Sequence, residues 1–169
     1  MSALCEELYG EEKAELIGLN YDLLDAIVDL NYDAFDELCA DDISCLEPET
    51  NQNVVIGKEF HKYYFDVFGT RSSSNGDGDE DTSIGEERGI SGMNAKTRTV
   101  TNVTMVQPHV QFMGDESNPI GAVVSYVKLT QGMVPGKPLK TIQQSETRVW
   151  EKRDGKWVNI HFHKSPYKA

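Results

Sequence analysis

No apolar run in the 169 residues approaches the length needed to span a bilayer, so no transmembrane helix is expected. Cysteine is scarce. Cys5, Cys39 and Cys45 are odd in number and lack the spacing of a zinc site or a disulfide framework, which suits reduced thiols in a cytoplasmic protein. Basic residues are few: 16 Lys and Arg stand against 28 Asp and Glu, a net charge of −12, and no basic stripe offers a nucleic-acid footprint. The imbalance is uneven, with 23 acidic and 5 basic residues before position 93 and 5 and 11 after it. Such asymmetry suits either head-to-tail pairing of copies or charged loops on a solvated surface. No nucleophile motif, glycine-rich phosphate loop or kinase signature occurs, and no cofactor is expected. Residues 1–10 form an acidic leader, unlike the cationic start of a signal peptide.

What is present falls into two halves. Glu11 to Leu30 has the spacing of an amphipathic helix, with Leu16, Ile17, Leu23, Leu24, Ile27 and Val28 recurring at three- and four-residue steps. Glutamates fill its first turn, and Asn31 is the expected left-handed stop. Asp33–Cys39 reads as a second short helix, Ile43–Leu46 as a brief strand, and Gly57–Phe68 as a third helix. From Thr97 onward strands follow one another: Thr99–Val106, His109–Met113, Ala122–Gln131, Thr141–Glu151 and Lys156–His163. Helices first and a meander afterwards predict an α+β sandwich of helix on sheet. Residues 69–95, rich in Ser, Gly and Asp, predict a disordered acidic insertion. Asp77 to Asp81 resembles part of a calcium loop, but Thr82 stands where that loop needs glycine and Arg88 where it needs a bidentate glutamate.

The last strand pair says most. Asp154-Gly155 is the favoured dipeptide of a two-residue hairpin turn, because both positions require positive φ. That turn places Arg153 opposite Lys156, Trp150 opposite Asn159, Arg148 opposite His161 and Glu146 opposite His163. Alternation then puts Val149, Val158, Ile160 and Phe162 on one face, beneath the long helix. Glu146, Arg148, Trp150, Trp157, Asn159, His161 and His163 fall on the other, facing a hollow or a neighbouring subunit.

The same segment, Gln144-Ser145-Glu146-Thr147-Arg148-Val149-Trp150 followed by Arg153 to Trp157 and His161-Phe162-His163, resembles the association (hub) domain of calcium/calmodulin-dependent protein kinase II. Leu46 to Glu49, Phe60 to Phe65, Gln107 to Val110 and Tyr126 to Gln131 agree in the same order, so the resemblance spans residues 11–165 apart from the insertion. The kinase portion, autoinhibitory segment and calmodulin-binding helix have no counterpart here, and a stand-alone hub occupying residues 11–169 is expected. The resemblance implies a cone-shaped, ketosteroid-isomerase-like (nuclear transport factor 2-like) fold, with a long N-terminal helix on a strongly curved antiparallel sheet. It also implies assembly into a closed ring of dimers, of a dozen or more subunits.

The family cavity holds a histidine, a tyrosine and two arginines, and receives carboxylates or peptide segments. His61, Tyr126 and Arg148 match that pattern, while Lys128 replaces an arginine and so loses the planar fork that grips a carboxylate. Each residue also has a plainer reading. Arg148 pairs with Glu146 or Glu47 as a buried ion pair, or it binds a ligand; His61 lines the cavity, or is a hydrogen-bonded core histidine. Trp150 and Trp157, with His161 and His163, are packing or interface residues. The two histidines share a strand face but lack a third ligand, so no metal site is expected. The leading function is a non-catalytic, self-associating hub, with no nucleic-acid or membrane partner. The alternative is a cavity enzyme of the ketosteroid-isomerase-like superfamily, such as a carbonic anhydrase-like activity, in which the cavity residues His61, Tyr126, Lys128, Arg148 and Glu47 would position a small carbonyl or bicarbonate and His61 would serve as acid or base.

Overall fold

The computed structural model describes residues 10–51, 53–73, 100–115, 118–133 and 138–166. Helix α1 (Glu11–Val28) is followed by α2 (Tyr32–Leu38), strand β1 (Cys39–Leu46), a 3₁₀ turn (Pro48–Thr50), β2 (Val55–Ile56) and α3 (Glu59–Ser73). Four long strands follow among the described residues: β3 (Val100–Asp115), β4 (Asn118–Met133), β5 (Lys140–Arg153) and β6 (Lys156–Lys164). They form one six-stranded sheet in the order β2-β1-β6-β5-β4-β3. Every pairing is antiparallel except that of β1 with β6, which is parallel. No helix among the described residues is long and apolar enough to cross a membrane.

Helix α1 forms where the three- and four-residue spacing predicts it, and buries Leu16, Ile17, Leu23 and Leu24. Asn20 lies on the same stripe and is fully buried. Ile27, expected inward, is 38% exposed. The stop is made differently from expectation: Leu30, not Asn31, takes the left-handed conformation (φ 56°). Asn31 N–H then bonds Ala26 O at 2.9 Å, closing the last turn. A β-carbon at positive φ costs about 1–2 kcal/mol, and packing of Leu30 against the core offsets it. Asn31 is thereby free to cap α2, its Oδ1 accepting from Ala34 N–H at 3.2 Å.

Gln107-Pro108 does not divide two strands. β3 runs through it, absorbing the irregularity at Gln107 (φ 51°), and Pro108 is tolerated because β3 is an edge strand. Helix α3 extends to Ser73, so the first residues of the expected insertion are helical. Residues 74–95, with the calcium-loop-like run, lie outside the described residues, as do residues 1–9 and Cys5.

The β5–β6 hairpin forms on the expected turn, with Asp154 at φ 51° and Gly155 at φ 77°. Arg153 faces Lys156 and Trp150 faces Asn159, as the turn dictates. Then the register shifts. Val149 pairs with His161, leaving Ile160 as an extra residue, so Arg148 faces Phe162 and Glu146 faces Lys164. The side chain of Asn159 takes over the interrupted ladder, its Nδ2 donating to Val149 O at 2.9 Å and His161 O at 3.3 Å. One inserted residue therefore turns Phe162 and Lys164 inward, and His161 and His163 outward.

The assignment of the two faces also reverses. The long helix covers the face that carries Trp150, Trp157 and Arg148, not the aliphatic one. Trp150 Nε1 donates to Asn20 Oδ1 at 3.0 Å, and Asn20 Nδ2 reaches Met105 Sδ at 3.4 Å. Trp150 is wholly buried and Trp157 is 5% exposed within a single chain, so neither offers surface to a neighbour. Both belong to the core, where an indole contributes more buried apolar area than any aliphatic side chain. Val149 and Val158 are half-buried on the outer face.

Candidate functional site

Alternation along β4 and β5 brings Tyr126, Lys128, Glu146 and Arg148 to the inner face of the sheet. Glu146 sits at the centre, 3% exposed. Its Oε2 accepts from Tyr126 Oη at 2.7 Å and lies 3.5 Å from Arg148 Nη2, and its Oε1 pairs with Lys128 Nζ. Arg148 also donates from Nε to Tyr126 Oη at 3.0 Å and from Nη1 to Asn159 Oδ1 at 3.3 Å. Its guanidinium lies 4.9 Å from the Phe162 ring. Of the two carboxylates named as partners for Arg148, it is Glu146 that lies beside it.

The charge states follow from these contacts. Burial alone raises a carboxyl pKa, but Lys128, Arg148 and the Tyr126 hydroxyl outweigh it and hold Glu146 down at about 2. Burial pushes Tyr126 up and Lys128 down. Arg148 stays firmly charged, since Tyr126 and Glu146 overcome its desolvation. Two cations thus surround one carboxylate.

A second group gathers where β1, the 3₁₀ turn and α3 meet. His61, 8% exposed, packs its ring against Phe35, Phe60 and Phe162, at centroid distances of 5.6, 5.5 and 5.4 Å. Its Nε2 is 3.9 Å from Glu47 Oε1, and among the described residues neither ring nitrogen makes a well-formed hydrogen bond, although the Gly57 backbone lies close to the ring. Burial pushes the imidazole down to about 4, leaving it neutral at pH 7. Glu47 Oε2 pairs with Lys164 Nζ at 3.2 Å, and Lys164 also reaches Glu49 Oε1 at 3.0 Å. Burial raises the Glu47 carboxyl pKa, and raises the Cys45 thiol to about 11. Here two carboxylates meet one cation, so this end has the opposite polarity to the Glu146 end.

Of the residues singled out in the sequence, Tyr126, Lys128 and Arg148 come together directly. His61 and Glu47 form a separate pair, joined to the first group through Phe162. His161 bonds Ser44 through Nδ1 at 2.8 Å and His163 is exposed, both on the outer face. Asn159, Lys164, Asn20 and Cys45 were not singled out. Lys164 was hidden by the bulge, which alternation cannot foresee. Asn20 was legible, since it lies four residues after Leu16 on the apolar stripe.

The family model "Calcium/calmodulin dependent protein kinase II association domain" matches residues 12–76 and 90–168. The calcium/calmodulin-dependent protein kinase type II subunit delta of Oryctolagus cuniculus is 33% identical over 153 residues, 90% of this chain. The chain spans 23% of that relative's length. The hub homology domain of Chlamydomonas reinhardtii superposes with a TM-score of 0.68 at 35% identity, covering 94% of this chain and all of that one. A nuclear transport factor 2-like protein of Cytophaga hutchinsonii, 15% identical, shares the fold with a TM-score of 0.61 over 92% of this chain and 98% of its own. The coverage, the identity and the helix-on-curved-sheet architecture agree, and the chain belongs to the calcium/calmodulin-dependent protein kinase II association domain family, whose hub domains homo-oligomerise.

Proposed function

We propose that the chain is a non-catalytic, cytoplasmic hub that closes into a ring of dimers, a dozen or more subunits in all. The observation that carries this reading is the outer sheet face. Val123 and Val149 are register partners there, as are Val106 and Val127, and all four are only half-buried in a single chain. Val158, His161 and His163 extend the same face and are the interface candidates. Ile56, Ile120 and Tyr63 are more than 60% exposed as well. Apolar side chains left open on one sheet face support contact between chains there. Native mass spectrometry at micromolar concentration is expected to show one closed species of at least a dozen chains. A monomer or an isolated dimer would remove the reading.

The inner site binds a small carboxylate or the carboxylate of a peptide segment, supported by the surplus positive charge of Lys128 and Arg148 over Glu146. An added anion would keep Lys128 charged against the desolvation that lowers its pKa. Millimolar succinate is expected to raise the melting temperature of the wild-type chain, and Lys128→Gln to lose that rise. A rise undiminished in Lys128→Gln would contradict this placement of the anion.

A further inference from the structure

We propose that Cys45, Glu47 and His61 form a three-ligand site for a borderline divalent cation of the Zn²⁺ class. The potential ligand atoms of these three residues all lie within 4.8 Å of one another, and all three residues are buried. Cys45 and Glu47 are two apart on extended backbone, so both project to the inner face, while His61 descends on them from α3.

Three observations favour a metal over a core cluster. The Gly57 backbone lies close enough to influence the His61 ring, yet neither ring nitrogen makes a well-formed hydrogen bond although the side chain is nine-tenths buried, and a buried imidazole so poorly satisfied is costly unless something ligates it. The two carboxylate oxygens of Glu47 already have separate surroundings. Lys164 holds Oε2 while Oε1 is turned to His61, the arrangement in which a neighbouring residue orients a ligand. The charge also balances, because a divalent ion with one thiolate and one carboxylate is neutral overall, as a buried site requires. Thiolate, imidazole and carboxylate together suit Zn²⁺ rather than Ca²⁺ or Mg²⁺.

The three ligand atoms, within 4.8 Å of one another, must draw closer to hold an ion. A tetrahedral shell with ordinary zinc bond lengths places N and O ligands about 3.4 Å apart, and S and N about 3.6 Å. The His61 to Glu47 separation of 3.9 Å therefore has to close by about half an ångström. On binding, the Cys45 S–H bond breaks, its electron pair forms the S–metal bond, and the proton leaves to solvent. A fourth position stays open for water or a carboxylate oxygen. The ion would tie β1, the 3₁₀ turn and α3 together.

The test is titration of the intact chain with Co²⁺, followed by displacement with Zn²⁺. The expected result is a near-ultraviolet thiolate-to-cobalt charge-transfer band with the visible bands of a four-coordinate ion, both erased by Zn²⁺. Cys45→Ala should abolish the charge-transfer band and Cys39→Ala should keep it. Glu47→Gln and His61→Asn should each weaken Zn²⁺ binding at least about tenfold in competition with a chromophoric chelator. Absence of the band at excess Co²⁺, or its survival in Cys45→Ala, overturns the proposal. Should Cys45→Ala fail to fold by circular dichroism, the Glu47→Gln and His61→Asn affinities decide, and unchanged values overturn it.

Discussion

Glu146→Gln is expected to lower the unfolding free energy at pH 7 by about 3–5 kcal/mol, because it leaves Lys128 and Arg148 buried together without an anion. The amide keeps the shape of the side chain but not its charge, so packing is not the cause. The effect carries a pH signature. The Glu146 pKa is depressed from 4.5 to about 2 in the folded chain, so its stabilisation is present above the unfolded-state value and is lost as pH falls through the folded one. Urea unfolding at pH 7 should separate wild type from Glu146→Gln widely, and the gap should shrink steadily between pH 4.5 and pH 2. A gap independent of pH would show that Glu146 acts through its hydrogen bonds rather than its charge.

Trp150→Ala is expected to be as damaging for a different reason. The indole is wholly buried, and its removal costs about 3–5 kcal/mol through lost burial and the cavity left behind. The melting temperature should fall by roughly 6 to 20 °C for a chain of this size. Trp150→Phe separates the two contributions. It retains most of the ring but removes the donor to Asn20, which leaves a buried amide oxygen unsatisfied at about 1–3 kcal/mol. Thermal unfolding followed by circular dichroism measures both, and a loss under about 1 kcal/mol for Trp150→Ala would contradict the core assignment.

The elements were legible because their signals are local. The apolar spacing of α1 and the Asp154-Gly155 turn each act within a few residues, and both appear where expected. The resemblance in the closing strands identified the family. The faces of the hairpin were not legible, for two physical reasons. Alternation tells which residues share a side but not which side the helix covers, and here the helix meets the polar and aromatic side through Asn20. A bulge is also silent in a pattern of period two. Ile160 is an ordinary strand residue, and only Asn159, bonding across the gap, reveals why an extra residue fits there. The pairing of Arg148 with Glu146 could be named from sequence because they are neighbours on one strand face. The Cys45, Glu47 and His61 group could not, since it depends on how α3 settles against β1.

The final strand occupies the middle of the sheet, wedged between β1 and β5. Ser44 and His161, hydrogen-bonded across that junction, are 117 positions apart. A ribosome must therefore release everything up to and including β6 before the sheet can close, and until then β1 has only β2 beside it. Closing so large a loop slows folding, yet lengthening it is cheap: doubling a flexible connection adds only about 0.6 kcal/mol. Loss of β6, by contrast, would split the sheet in two.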